Sequence, residues 1–141
     1  MIEKELEAIF AGQDVGDGGV DVDGVLRAFD RLMAKVTKAN LPTLISAIQS
    51  PRNNFWTREL LSEPICNLGG SDHLEVLFAA AKLGEEEGHD NDGFNTHLIG
   101  IASTEPAKCR AKLQELLARD DFKERDKAMW LLEFCEADNS N

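Results

Sequence analysis

The chain has 141 residues with no tyrosine, two tryptophans and four prolines. β-Branched residues are sparse, and no stretch alternates cleanly between apolar and polar over five positions, so the sequence does not predict strands. The three cysteines, Cys66, Cys109 and Cys135, are far apart, odd in number and form no CxxC pair. That excludes a disulfide framework and a zinc ribbon. No run of about 18 apolar residues occurs, so no transmembrane helix is expected. Positive charge is scarce: 15 Lys and Arg face 26 Asp and Glu, for a formal charge of −11. This balance argues against non-specific binding to nucleic acid or to an anionic membrane. The opening Met1-Ile2-Glu3-Lys4-Glu5 lacks the basic-then-apolar layout of a signal peptide, so a cytoplasmic location is expected.

The remaining composition, 43% hydrophobic and 29% charged, is that of an ordinary globular protein. Its length suits one domain able to bury roughly two thirds of its unfolded surface. Three segments carry one helical period. They are Leu61, Ile65 and Leu68; Phe94, Leu98 and Ile101; and Ala128, Leu132 and Cys135. The spacing is +4 then +3 each time, which keeps each triplet on one helical face. Successive copies are offset by 33 and 34 positions. A second amphipathic stretch precedes each copy. Leu41, Leu44, Ile45 and Ile48 recur 33 positions later as Leu74, Leu77, Phe78 and Ala81, and less regularly as Cys109, Leu113, Leu116 and Leu117. The third inter-helix turn is predicted to be the shortest. The unit is a hairpin of two helices whose apolar stripe is buried only by stacking on its neighbours. Pro51, Gly69-Gly70-Ser71-Asp72, Gly84, Gly88 and Pro106 punctuate the copies. Ser71 or Asp72, and Asp120 or Asp121, are candidate helix caps. Pro64 falls inside the second helix of the first copy and is expected to kink it.

The tracts Phe55-Trp56-Thr57-Arg58-Glu59-Leu60-Leu61 and Phe122-Lys123-Glu124-Arg125-Asp126-Lys127-Ala128 resemble the start of the second helix of a HEAT repeat. Arg58 and Arg125 match that family's arginine. The middle copy departs from it, with His89-Asp90-Asn91-Asp92-Gly93 and no arginine. The resemblance covers roughly residues 39 to 136. It implies an all-α, right-handed α–α superhelix of three HEAT-like helical hairpins, at about 39–70, 71–104 and 105–136. In such stacks the arginine ties a helix to a neighbouring turn through carboxylate or backbone oxygens. Residues 1–38 fit the repeat less well and read as an N-terminal helical cap on the same domain. A short helix there carries Leu6, Ile9 and Phe10. A longer one carries Val22, Val25, Leu26, Phe29, Leu32, Met33 and Val36, and the glycine-rich loop 12–19 lies between them. The tail 138–141 is expected to fray.

Signatures of chemistry are weak. Asp21-Val22-Asp23-Gly24 and Asp90-Asn91-Asp92-Gly93 look like calcium loops. With the glycine at the sixth place, however, the first and twelfth are Gly19 and Asp30, or Gly88 and Ile99, which an EF-hand does not accept. They read instead as turns or caps. A metal cluster of His89, Asp92 and His97, with or without His73, lacks any HExxH-like spacing and reads as solvated polar residues at a helix start. No GxSxG is present, and Cys135 belongs to an apolar face. No catalytic residue, cofactor or metal ligand is therefore assigned.

The most informative feature is the helical face opposite the buried stripes. At about 100° per residue, Trp56, Glu59 and Glu63 point away from the first stripe. Their equivalents are His89, Asp92 and Thr96, then Lys123, Asp126 and Trp130, with Glu133 extending the last row. In a HEAT-like stack these second helices line the concave side, so the ten residues would form one partner-binding surface. Tryptophan is enriched at binding hot spots; the alternative is that each Trp simply packs on the adjacent hairpin. Residues 71–104 carry one Lys and seven acids, which favours a basic protein or peptide partner. One version is a bacterial immunity-type protein that neutralises a basic toxin. Other readings are an enzyme or enzyme component on a HEAT-like scaffold, such as a bilin-lyase-like protein, or a structural subunit of a complex. The glycosylase variant of such scaffolds needs a basic groove, which the charge opposes.

Overall fold

The structure, a computed structural model, describes residues 1–13 and 19–138. Among the described residues there are eight α-helices and no strand, so the fold is all-α. The helices are α1 (Glu3–Gln13), α2 (Val22–Lys35), α3 (Leu41–Ile48), α4 (Phe55–Gly69), α5 (Leu74–Glu86), α6 (Asp92–Thr104), α7 (Pro106–Leu117) and α8 (Arg125–Asp138), with 3-10 turns at Lys38–Asn40 and Gly70–His73. No helix among them is long and apolar enough to cross a membrane.

Packing follows the apolar stripes. α1 lies on α2, α3 on α4, and α7 on α8. α4 also contacts α5 and α6, while α6 contacts α7 and α8, so α4, α6 and α8 follow one another as neighbours. Buried side chains from Ile2 to Cys135 join in one apolar cluster. Phe78, Phe94, Leu44, Leu61, Ile65, Leu77 and Leu98 are almost wholly enclosed in it. Each such side chain contributes about 1.5–3 kcal/mol relative to exposure.

On α8 the enclosed residues are Ala128, Leu131 and Cys135, and Leu132 is only half-buried. The third stripe therefore runs one position away from the expected Leu132, because α8 meets α6 and α7 on the side that Leu131 marks. The connections 49–54, 87–91 and 118–124 correct a second expectation: the last is the longest. The shorter spacing arises because α7 ends at Leu117, the last residue of its stripe, whereas α5 continues past Ala81 to Glu86.

Local chemistry explains several boundaries. Asp21 N-caps α2, its carboxylate accepting the Gly24 N–H at 3.0 Å, which accounts for one of the two acidic loops. Asn54 and Thr57 form a reciprocal capping box at the start of α4, satisfying donors that a helix leaves open. α4 runs through the buried Pro64, although that residue donates no backbone hydrogen bond. The caps expected at Ser71 or Asp72 and at Asp120 or Asp121 do not form. α5 starts after His73 with no side-chain cap, Ser71 is buried, and Asp121 pairs with Arg119 at 2.9 Å. Of the loop 12–19, Gly12 and Gln13 close α1, and 14–18 lie outside the described residues, as does the tail 139–141. The first two helices are tied to the rest by Arg52, which binds Glu7 through two hydrogen bonds and lies 5.0 Å over the Phe10 ring. The Gln13 side-chain amide also donates to the Arg52 carbonyl.

Candidate functional site

At each junction between a first and a second helix one polar side chain turns back onto a carbonyl of the first helix. In 49–54 it is the buried Asn53, whose amide donates to Ala47 O at 2.7 Å and Ile48 O at 3.2 Å. In 87–91 it is Asn91, donating to Ala81 O at 2.7 Å. In 118–124 no asparagine is present, and Arg125 reaches back from α8 to Leu117 O at 2.7 Å and Arg119 O at 3.1 Å. Ala47, Ile48 and Leu117 are among the last carbonyls of their helices, which a helix end leaves open, whereas Ala81 lies further inside α5. Asn91 is held at φ 62°, a left-handed conformation that asparagine tolerates better than most residues. Gly84 makes its approach possible: a Cβ there would lie 2.7 Å from Asn91 Oδ1.

Because Asn91 is engaged on α5, it cannot cap α6. Glu59 of α4 does so instead, its Oε1 accepting the Phe94 N–H at 3.2 Å. A carboxylate is well placed there, at the positive end of the helix dipole. Gly93 leaves room for it, since a Cβ would come within 2.8 Å of the Glu59 carboxyl. His89 Nε2 lies 3.3 Å from the same Glu59 oxygen, and its ring stacks on Phe55 at 4.3 Å between centroids. Glu87 does the converse for α4: it accepts the Phe55 N–H at 2.9 Å and pairs with Arg58. Arg58 is only 5% exposed and also donates to Asn53 O. Both arginines thus tie helices to turns, one buried and one exposed.

Deeper between α4 and α6, Ser62 Oγ donates to Glu59 O at 2.6 Å and lies 2.7 Å from His97 Nδ1. The serine has one proton, and the carbonyl takes it. His97 Nδ1–H must therefore donate to Ser62 Oγ, which leaves the Nε2 lone pair free 4.0 Å from Glu63 Oε1. Burial holds His97 below the ordinary imidazole range, against the opposing pull of Glu63 and Glu59. Ser62 is fully enclosed and its proton points to a backbone oxygen, so the Ser62–His97–Glu63 trio braces two helices and does not form an activated nucleophile.

The ten surface residues inferred from periodicity fall on the three successive second helices and the turns that lead into them. Asp92, Thr96, Lys123, Asp126 and Glu133 are exposed, whereas Trp56, Glu59, Glu63, His89 and Trp130 are half-buried. Trp56 and Trp130 both rest against the apolar core. Lys127 joins α6 to α8, donating to Asn95 Oδ1 at 2.5 Å, with its ammonium 4.5 Å over the Trp130 ring. Periodicity does not reveal Asn53, Asn91, Ser62, Asn95, His97 or Lys127, because each acts by reaching across to another element. The one local signal was asparagine in the turns before two second helices.

Among the described residues, two of the cavities that open on the surface bear on these groups. One, of about 540 Å³, lies where α4, α6 and α7 meet and is lined by Asn67, Thr96, His97, Gly100 and Lys108 among others. The other, of about 360 Å³, lies between α5 and the start of α8. Among the described residues no group of three or more His, Cys, Asp and Glu is placed to hold a metal ion. His73, His89 and His97 do not converge with Asp92. The three cysteines are buried and none is in a disulfide; burial and the nearby Glu63 push Cys66 up to about 12, which makes it unreactive at neutral pH.

No protein-family model, no curated protein and no solved structure matches the chain.

Proposed function

We propose that the chain is a cytoplasmic binding module built as a HEAT-like α–α superhelix, three hairpins behind an N-terminal helical cap, which recognises a basic protein or peptide. The observation that carries this reading is the adjacency of α4, α6 and α8 with Asp92, Asp126 and Glu133 exposed. Trp56 and Trp130, packed on the core with part of each ring in solvent, supply anchors at the two ends of the row. The carboxylates steer the encounter and the tryptophans provide affinity. Glu59 contributes less directly, since it is bound to the start of α6. Three buried cysteines with no disulfide between them suit a reducing compartment.

The test begins with capture of partners at low salt and their elution at high salt, followed by titration of the purified partner. A basic partner should lose roughly tenfold or more in affinity with Trp56→Ala or Trp130→Ala and weaken steeply with salt. An acidic partner, or one indifferent to salt and to both tryptophans, would end this reading.

A further inference from the structure

The 360 Å³ cavity has a floor and a rim of different character. Phe78 and Ala81 of α5, both almost fully enclosed, line it together with Trp130. The Lys127 ammonium is fixed against this floor by the Trp130 ring and by Asn95. Lys82 and Lys123 stand at the mouth as exposed side chains. Among the described residues, none of these three lysines forms an ion pair. Their ammonium groups are therefore not neutralised by a carboxylate at ion-pair distance, although the chain carries a net charge of −11. Lys127 is partly desolvated, which lowers its proton affinity against the pull of Glu85. An anion brought to it would restore what burial removes.

The carboxylates decide the kind of anion. Glu85, Glu124 and Asp126 also line the cavity, so a bare inorganic ion meets repulsion close to the attraction. Binding then needs an apolar contribution, and the floor offers a flat aromatic one. The volume lies within the range of small-ligand pockets, about 300–1,000 Å³.

We propose that this cleft binds a small aryl anion, a carboxylate or phosphate carried on an aromatic ring, with the anionic group on Lys127 and Lys123 and the ring against Trp130 and Phe78. The cleft shares Trp130, Lys123 and Asp126 with the proposed partner surface but takes a ligand of the opposite charge. Asp92→Lys and Glu133→Lys, which would cripple recognition of a basic partner, leave aryl-anion binding intact.

The experiment uses the full chain carrying Trp56→Phe, so that fluorescence reports Trp130 alone. Benzoate and phenyl phosphate are titrated as the two anion types, with benzylamine and inorganic phosphate for comparison. Saturable change with either aryl anion is expected, and the tighter of the two identifies the anionic group. Lys127→Gln should weaken it roughly tenfold and Lys123→Gln a fewfold. Circular dichroism checks that the variants fold, and Lys123→Gln decides if Lys127→Gln does not. The proposal is overturned if neither aryl anion saturates, if benzylamine or inorganic phosphate binds as well, or if folded lysine variants bind unchanged.

Discussion

At the α5–α6 turn an enclosed asparagine in a left-handed conformation folds back onto α5, and a carboxylate from α4 then caps α6. At the α7–α8 turn an exposed arginine reaches back to α7 in the asparagine's place. The mechanical task is shared, but the consequence of losing each group is not. A buried donor removed leaves its acceptor without water, whereas an exposed one leaves an acceptor that solvent can satisfy. One apolar cluster runs through both regions, and the middle of the molecule depends more on enclosed polar groups than its C-terminal end does.

The sharpest way to break this comparison is Asn91→Ala. Losing the bond to Ala81 and forcing alanine into the left-handed region should together cost about 3 kcal/mol in urea unfolding. Asn91→Gly removes the bond without the strain and should recover about 1 kcal/mol of that. Equal values for the two variants would mean that backbone conformation plays no part.

Next come the two arginines that the periodicity treats as equivalents. Arg58→Met should cost about 2–3 kcal/mol, since it strips the enclosed Asn53 carbonyl and Glu87 of a shared partner. Arg125→Met, at an exposed site, should cost about 1 kcal/mol or less. The reverse order in paired denaturation curves would refute the contrast between the two ends.

A smaller effect tests the borrowed cap. Glu59→Ala should cost about 1 kcal/mol, as for loss of an ordinary N-cap, and Glu59→Gln should restore most of it because an acceptor oxygen remains. Amide exchange at Phe94 reports this directly; unchanged protection in Glu59→Ala would exclude the cap.

The smallest effect is a pH dependence confined to the α4–α6 junction. Unfolded His97 protonates near 6.5, and folded His97 only at lower pH because it is buried. The unfolded state therefore takes up the proton first as pH falls through the unfolded value. Stability is lost from there until the folded side chain also protonates, and no further loss comes from this group below that point. His97→Gln should flatten this segment of the stability–pH curve, on top of a pH-independent loss from the altered bond to Ser62. An unaltered slope would place the titration elsewhere.

The helices and most of their buried faces were legible in the sequence because periodicity reports which side of a helix avoids water. Leu61, Ile65, Phe94, Leu98 and Ile101 needed nothing more. Leu132 was misplaced because two neighbouring leucines both fit the period, and only the approach of α6 and α7 selects Leu131. The third connection was misjudged because helix ends depend on capping groups rather than on the apolar repeat. The outward face was legible as a list of residues, but the engagement of Glu59 on α6 was not. A carboxylate 35 positions from the amide it caps leaves no local trace.

What the chain alone determined is an all-helical architecture with its repeating apolar stripes, since these follow from the 3.6-residue turn and the aversion of hydrocarbon to water. Tertiary structure decided which polar groups become fixed partners. Asn53, Asn91, Ser62 with His97, and Lys127 over Trp130 act across element boundaries, and a hydrogen bond or an ion–ring contact needs a distance of a few ångströms that only folding supplies.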